Sequence, residues 1–124
     1  MPQHPDPVSV VQRQLDAYNA RDIDALMATY ADEIEQFDFP NTSLAVGAAA
    51  VRARQSVRLH EPDLYARLLG RTAMGNLVID HEIVTRNFPE GIGTVELIAM
   101  YDVQGDRIQR AWFKFGEKRM GRQE

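Results

Sequence analysis

The spacing of apolar residues changes along the chain, from a helical pattern in the first half to a strand pattern in the second. One apolar set recurs at steps of three, four and three and comprises Val8, Val11, Leu15 and Tyr18. A second set begins just after Asp22 and comprises Ile23, Leu26, Met27 and Tyr30. Each spacing places its residues on one face of a helix, and Asp22 is a suitable N-cap. We therefore predict two short amphipathic helices, each with a tyrosine at the end of its apolar face.

Residues 34–39 alternate and predict a strand in which Asp38 lies between Phe37 and Phe39. Successive side chains of a strand face opposite sides, so Asp38 shares a face with Ile34 and Gln36. If that face is covered, the carboxylate is buried beside apolar walls, which raises the pKa of an acid and makes it a usable base near neutrality. The alternative is that Asp38 marks a strand end and hydrogen-bonds the following turn.

A third helix is predicted from Gly47 to about Leu59, ended by Pro62, after a short return strand over residues 43–46. Its alanines are expected to face inward, and Arg52, Arg54 and Arg58 outward. From residue 63 the period is two, which predicts four long strands joined by hairpins, at residues 64–74, 77–86, 93–103 and 107–115. Helices followed by a meander indicate an α+β fold in which the three helices cover the concave face of a mostly antiparallel sheet. A strongly curved sheet covered in this way encloses a cone-shaped cavity.

Composition narrows the possible functions. The chain has 124 residues, a formal net charge of −4 and no cysteine. Its length fits a single domain at residues 8–118, with an irregular arm at 1–7 and a tail at 119–124. The acidic balance argues against a nucleic-acid partner. No apolar run reaches transmembrane length and no signal-peptide pattern is present, so we expect a cytoplasmic protein without a membrane partner.

Several short motifs together resemble a known superfamily. They are residues 10–13 (VVQR), 19–24 (NARDID) and 31–32 (AD), the single residues Asp38 and Gly47, and residues 115–118 (FGEK). From about Val8 to Lys118 the chain resembles the ketosteroid isomerase branch of the nuclear transport factor 2-like (SnoaL-like) superfamily. The resemblance implies a cone-shaped α+β fold, an apolar pocket within the cone, and a homodimer formed through the outer face of the sheet.

The resemblance also suggests a reaction. Ketosteroid isomerases use an aspartate base together with a tyrosine and a protonated aspartate that form an oxyanion hole. On this chain the base falls on Asp38, the tyrosine on Gln14, and the protonated aspartate on Ala99 or a position beside it. Loss of one oxyanion donor costs about a hundredfold or more in rate, so steroid isomerisation itself is not expected. The wider superfamily contains polyketide cyclases, dehydratases, epoxide hydrolases and non-catalytic binding domains.

Two functions remain open at this point. In the first, a small, mainly apolar carbonyl compound binds in the cone, and Asp38 moves a proton without a cofactor, as in isomerases and lyases. Tyr18, Tyr30 or Gln14 would then orient the oxygen of the ligand. In the second, the domain binds a small molecule or dimerises without catalysis. The expected ligand-binding residues on the inner faces are Gln14, Gln36, Leu97, Ala99, Tyr101, Phe113 and Phe115.

The run Asp80-His81-Glu82 is a dense ionisable cluster within an apolar strand. Alternation places His81 on one face and the two acids on the other. An inward His81 near Asp38 would form an acid/base pair and is a candidate catalytic residue, whereas an outward His81 would make a surface contact. If the acids face inward, as the resemblance suggests, they require Arg71 or Arg86 as a counter-ion, because an unpaired buried charge is costly.

Metal and cofactor sites are not expected. The three histidines, His4, His60 and His81, lack the spacing of metal ligands, and no glycine-rich nucleotide loop is present. On the last two strands, the residues expected on the outer face are Ile98, Met100 and Trp112. That face is too apolar to be left in water, which favours an isologous dimer. A register slip by one residue would instead make Trp112 a pocket wall.

Overall fold

A computed structural model describes residues 6–121, which form three helices and six strands. Two helices come first, two strands and the third helix follow, and four strands end the chain order. The helices are α1 (Pro7–Ala20), α2 (Ile23–Met27) and α3 (Ala48–Leu59). The strands are β1 (Tyr30–Asp38), β2 (Thr42–Val46), β3 (Tyr65–Met74), β4 (Leu77–Phe88), β5 (Gly91–Gln104) and β6 (Arg107–Met120).

The six strands form one sheet in the order β2-β1-β6-β5-β4-β3. Strands β3 to β6 are a meander of antiparallel neighbours, and β1 joins the sheet as a parallel partner of β6. Register shifts interrupt four of the five strand pairings. Because a bulge bends its strand and increases the local twist, these irregularities curve the sheet towards the helices. The predicted α+β architecture is confirmed.

The helices cover one face of the sheet and leave the other uncovered by any element of residues 6–121. Helix α1 contacts β3, β4, β5 and β6, and α3 contacts β1 and β2, while α2 connects the two helices. The core lies between these layers. Its most deeply buried side chains include Val10, Val11, Leu26, Ile34, Val51, Leu64, Val78, Tyr101, Val103 and Ile108.

The ends of α1 and β6 differ from the predicted domain limits. Asp6 is the N-cap of α1, where its side chain accepts a hydrogen bond from the backbone N–H of Val8, and Pro7 begins the helix. The helix therefore starts inside the predicted arm, of which residues 1–5, including His4, lie outside the described residues. At the other end β6 continues to Met120 because it stays paired with β5 as far as Gly93, so only residues beyond Gly121 of the predicted tail are undescribed.

Helix α2 is shorter than the apolar spacing predicted. Asp22 caps it as expected, accepting a hydrogen bond from the backbone N–H of Ala25, but the helix ends at Met27. The buried Thr29 side chain bonds the carbonyl oxygen of Leu26, and the chain then enters β1 at Tyr30. Tyr30 is therefore a buried strand residue and does not end a helix. Its spacing from Ile23 and Leu26 suited a helix, but an aromatic residue also suits a buried strand.

The inner and outer faces of β5 and β6 follow the predicted alternation. Ala99, Tyr101 and Ala111 are buried beneath the helices. Trp112 lies on the outer face, where its ring stacks on that of Phe37 with the ring centroids 5.9 Å apart. The competing assignment of Trp112 as a pocket wall is therefore wrong.

None of the helices between residues 6 and 121 combines the length and apolar character required to cross a bilayer.

Candidate functional site

A cavity opens between α1, α3 and the inner face of the sheet, with a volume of about 490 Å³ when its open mouth is included. Its apolar lining comprises Leu15, Ala66, Val84, Leu97, Tyr101, Phe113 and Phe115. Its polar lining comprises Gln14, Tyr18, Arg54, Gln55, Arg58 and Glu82. A mainly apolar wall with a few convergent polar groups is the usual character of a small-molecule site.

The polar groups of the cavity come from three separate elements. Gln14 and Tyr18 lie four residues apart on α1, Arg54 and Arg58 lie four apart on α3, and Glu82 projects from β4. Residues four apart lie on the same face of a helix, which explains why each pair points the same way. The cavity thus has two arginines on α3 and one carboxylate on β4.

The inward position of Arg54 and Arg58 corrects the prediction that they face outward. Arg54 lies three residues after the fully buried Val51 and Arg58 lies seven residues after it, so both fall on the covered side of α3. Arg52 does face outward, as predicted, and its side chain pairs with Asp24 at 2.9 Å. The signal that could have identified Arg54 and Arg58 was their spacing from Val51. It was outweighed by the tendency of arginine to be exposed.

Glu82 is the group with the most unusual environment in the cavity. It is 5% exposed, and no residue between 6 and 121 forms a hydrogen bond or an ion pair with its carboxylate. Burial raises its pKa to about 7, the charge of the nearby Asp80 contributes in the same direction, and Arg71 opposes the shift. A carboxylic acid that is half-ionised near neutral pH can both accept and donate a proton there.

Asp80 and Arg71 form a buried ion pair beside Glu82. Arg71 donates from Nε to Oδ1 of Asp80 at 2.6 Å and from Nη2 to Oδ2 at 2.9 Å. Its remaining nitrogen Nη1 donates to Oε1 of Gln12 at 2.8 Å, which ties the pair to α1. Arg71 thereby fulfils the predicted need for a counter-ion, but only for Asp80. Arg86 is bound to Glu61, so Glu82 is left without a cation of its own.

His81 lies on the outer face of the sheet, away from the cavity. Its Nε2 contacts Oε2 of Glu96 on the adjacent strand, and both side chains are more than two-fifths exposed. The alternation that turns Asp80 and Glu82 inward necessarily turns His81 outward. As a correction to the candidate catalytic set, His81 therefore makes a surface contact, and no acid/base pair with Asp38 is formed.

Asp38 lies at the end of β1 and does not line the cavity. It is half-buried, and its partner in the parallel register of β1 and β6 is Phe113, which does line the cavity. Among residues 6–121 its carboxylate has no ion-pair partner. The predicted shared face with Ile34 and Gln36 is seen in the burial pattern of β1, but Asp38 at the end of the strand is less buried than Gln36.

The candidate tyrosines have different environments. Tyr18 lines the cavity, where burial raises its pKa and the neighbouring Arg58 opposes that shift. Tyr30 is buried below the cavity wall, and burial raises its pKa as well. The nearby Gln14 side chain opposes part of this pKa shift, although the Tyr30 hydroxyl oxygen has no hydrogen-bond partner within residues 6–121. Tyr18 is thus placed to contact a ligand, and Tyr30 is not.

The predicted ligand-binding residues also divide into two groups. Gln14, Leu97, Tyr101, Phe113 and Phe115 line the cavity. Gln36 and Ala99 are fully buried behind it, where Oε1 of Gln36 accepts a hydrogen bond from Nη1 of Arg54 at 2.8 Å. Three buried polar atoms in this region have no hydrogen-bond partner within the described chain: Gln14 Oε1, the Tyr30 hydroxyl oxygen and Gln36 Nε2.

The raised pKa of Glu82 predicts a pH-dependent cost to stability. Between about pH 4.5 and 7 the unfolded chain releases this proton while the folded chain retains it. The free energy of unfolding therefore falls as the pH rises through this window. Glu82→Gln removes the cost, and we expect the variant to exceed the wild type in free energy of unfolding by about 3 kcal/mol at about pH 8. This advantage should shrink towards zero below the lower end of the window.

Urea unfolding of both proteins across this pH range measures the difference, in which the contributions of other carboxylates cancel. A wild-type-minus-variant difference that does not change with pH would contradict the raised pKa of Glu82.

Within residues 6–121 no group of three histidine, aspartate or glutamate side chains is arranged to hold a metal ion.

Comparison with known proteins identifies relatives of this fold. Residues 11–111 match the sequence model of a family described as SnoaL-like domain. The search of curated proteins finds no significant match.

Three solved structures illustrate the structural similarity. An uncharacterised cystatin-fold protein from Novosphingobium aromaticivorans superposes with a TM-score of 0.81 at 21% identity, over 88% of this chain and 97% of its own. An epoxide hydrolase from M. tuberculosis, of the LEH-like type, gives 0.79 at 14% identity, over 93% and 86%. A SnoaL-like protein of unknown function from Burkholderia thailandensis gives 0.71 at 22% identity, over 90% and 95%. Identities this low establish the shared fold alone.

Proposed function

The chain belongs to the SnoaL-like domain family, and on that premise we propose that it binds a small, mainly apolar carbonyl compound and moves a proton with Glu82. The observation that carries the proposal is an unpaired, buried carboxylate on the wall of a largely apolar cavity. Arginine ion pairs account for Asp80 and Glu61, and a contact with His81 accounts for Glu96, but no ion pair within residues 6–121 accounts for Glu82. Perturbed ionisable groups of this kind cluster at functional sites.

The proposed reaction begins with ionised Glu82 as the general base. Its carboxylate takes a proton from a carbon next to the carbonyl group of the ligand, and the electrons of the C–H bond move into an enolate. If the ligand has a β,γ double bond, the enolate is a conjugated dienolate, and protonated Glu82 can return the proton to its far carbon, which gives an isomer. Alternatively the enolate can attack a second carbonyl group of the ligand, which closes a ring through a new carbon–carbon bond, and protonated Glu82 gives its proton to the resulting alkoxide oxygen. Neither course consumes a cofactor.

Two donors on α1 support the orientation of the carbonyl oxygen. The Tyr18 hydroxyl and the Gln14 side-chain amide both lie on the cavity wall, one helical turn apart. We propose that they bind the oxygen on which the enolate charge develops, because hydrogen-bond donors aimed at that charge lower the barrier. Arg58, which lies beside Tyr18, adds positive charge on the same side.

Glu82 takes the role that the family resemblance suggests for Asp38. Glu82 lines the cavity and is buried, whereas Asp38 lies outside the lining and is half-buried at a strand end. Desolvation is the largest contribution to the raised pKa of Glu82, and it acts only on a group that is removed from water. Asp38 as the base stays a prediction, and a direct titration tests it against Glu82.

We expect Glu82 to titrate near pH 7 in the folded protein. Carbon-13 NMR of side-chain carboxyl groups measures this, with the resonance assigned by its loss in Glu82→Gln. The matched control is Asp38→Asn, which should leave the transition near pH 7 in place. A Glu82 that titrates near pH 4.5 would refute the proposed base and favour the second function, a small-molecule-binding domain without catalysis.

The predicted homodimer also remains a proposal. It is supported by the outer face of the sheet, which no element of residues 6–121 covers and on which Ile98, Met100 and Trp112 are only half-buried. A cytoplasmic location and the absence of nucleic-acid partners stay predictions from the sequence.

A further inference from the structure

We infer that the ligand of this cavity carries a carboxylate group, which Arg54 binds at the α3 side while the apolar body of the ligand extends towards Glu82. The inference rests on the proposed function only in placing the reacting carbonyl end of the ligand near Glu82. The charge on Arg54 and its surroundings support the carboxylate independently of any chemistry at Glu82.

Arg54 has an unsatisfied positive charge in a partly buried position. Its guanidinium group lines the cavity, and its one hydrogen bond within residues 6–121 is the bond from Nη1 to the neutral oxygen of Gln36. No carboxylate of the described chain forms an ion pair with it. Burial lowers its pKa, and the nearby charge of Arg58 lowers it further. An anion beside this group would offset both effects.

The other partly buried arginines differ from Arg54 in having carboxylate partners. Arg71 is bound to Asp80 at 2.6 Å, and Arg86 is bound to Glu61 at 2.8 Å. Arg58 shares the same Glu61 at 3.4 Å. One glutamate therefore serves two arginines. Arg54 is the one partly buried arginine between residues 6 and 121 that forms no ion pair with a carboxylate of that part of the chain.

The geometry around Arg54 suits a planar anion. The guanidinium presents its remaining N–H groups as a fork, which matches the two oxygens of a carboxylate. The Phe113 ring lies 5.8 Å from the central carbon of the guanidinium, so an apolar surface continues directly from the charged group. Close by, the buried nitrogen Nε2 of Gln36 has no acceptor within residues 6–121, although the oxygen of the same amide is bound to Arg54.

The charge distribution fixes the direction in which the ligand binds. Arg54 binds Gln36 of β1 and lies over Phe113 of β6, whereas Glu82 lies on β4, which is two strands from β6 in the sheet. Ionised Glu82 would repel a carboxylate placed next to it, while Arg54 would attract one. Leu97 and Tyr101 line the cavity from the intervening strand β5 and can contact an apolar ring. The class of ligand is therefore a small apolar carboxylic acid, and for a reaction at Glu82 it must also bear a carbonyl group.

The test compares two probes of nearly equal shape, benzoate and benzamide, by isothermal titration calorimetry at neutral pH and low salt. We expect the wild type to bind benzoate at least about tenfold more tightly than benzamide, because one charge-assisted bidentate contact strengthens binding by about this factor. Arg54→Met should abolish this preference. Arg54→Lys, which retains the charge without the fork, should give an intermediate preference and also covers the case in which the methionine variant does not fold.

The matched control is Arg52→Met, which alters an arginine on the same helix that is exposed and paired with Asp24. It should leave the preference for benzoate unchanged. Equal binding of the two probes by the wild type, no binding of benzoate at millimolar concentration, or a preference that survives Arg54→Met would each overturn the inference. Glu82→Gln should retain the preference, so a failure of the proposed base and a failure of the carboxylate subsite give different results.

Discussion

Replacing Glu82 with glutamine is expected to slow enzymatic proton exchange at the carbon next to a bound carbonyl group by about a hundredfold to ten-thousandfold, the range that a general base contributes. Glutamine has nearly the shape of glutamate but cannot accept the proton. The cavity and its lining should therefore remain, and only the proton transfer should be lost. No other described carboxylate lines the cavity to replace it.

Exchange is best measured by proton NMR in heavy water, because it reports proton abstraction whatever the later steps of the reaction are. Suitable probes are cyclohexanone and 4-oxocyclohexanecarboxylate. The second probe carries the carboxylate that the proposed Arg54 subsite would bind. In the wild type the enzymatic rate should rise with pH and level off above about pH 7, as the Glu82 carboxyl group ionises.

Asp38→Asn is the matched control, since it makes the same chemical change at the carboxylate suggested by the family resemblance. We expect it to alter exchange by no more than a few fold. If Asp38→Asn loses exchange while Glu82→Gln retains it, Asp38 is the general base and Glu82 is not. Retention of exchange in both variants would remove the catalytic proposal altogether.

Replacing Arg71 with methionine is expected to lower the free energy of unfolding by about 3–5 kcal/mol at neutral pH. Asp80 is fully buried, and Arg71 supplies both of its hydrogen bonds and its counter-ion. Without Arg71 the carboxylate must remain buried as an unpaired charge or take up a proton. Either outcome costs far more than the loss of an exposed pair.

Urea unfolding measures this cost, with Arg52→Met as the control, because the exposed Arg52–Asp24 pair should contribute only about 0–1 kcal/mol. Adding Asp80→Leu to Arg71→Met should restore much of the lost stability, since the unpaired charge is then gone. A cost for Arg71→Met no larger than that of the control would show that water solvates Asp80 in the folded protein.

The sequence by itself determined the order of the elements and the faces of the strands. Period-two alternation placed Asp80 and Glu82 on one side of β4 and His81 on the other, because the side chains of a strand cannot do otherwise. It also favoured the outer face for Trp112, and the observed register of β5 and β6 excludes the alternative in which Trp112 is a pocket wall. The strands were found to within a few residues at most ends, since the turns between them contain glycine or proline.

Local patterns gave ambiguous answers where two structures suit the same residues. Tyr30 fitted the apolar face of a helix and equally the start of a buried strand, and the strand is formed because it pairs with β6. Arg54 and Arg58 had the spacing of inward residues but the composition of a solvent-exposed face. Whether such long side chains meet water or a cavity depends on what lies opposite, which spacing along one helix does not specify.

Only the tertiary structure decided which acid is unpaired. Arg71 is aligned with Asp80 across the β3–β4 pairing, whereas the partner of Glu82 in the same register is the apolar Leu68. A bulge between Leu68 and Gly70 sets this alignment, and helix α1 then removes both acids from water. The pKa of a carboxyl group depends on its burial and on its distances to other charges. Both are properties of the folded chain, so the sequence could identify the acidic cluster but not the member that has no ion-pair partner among residues 6–121.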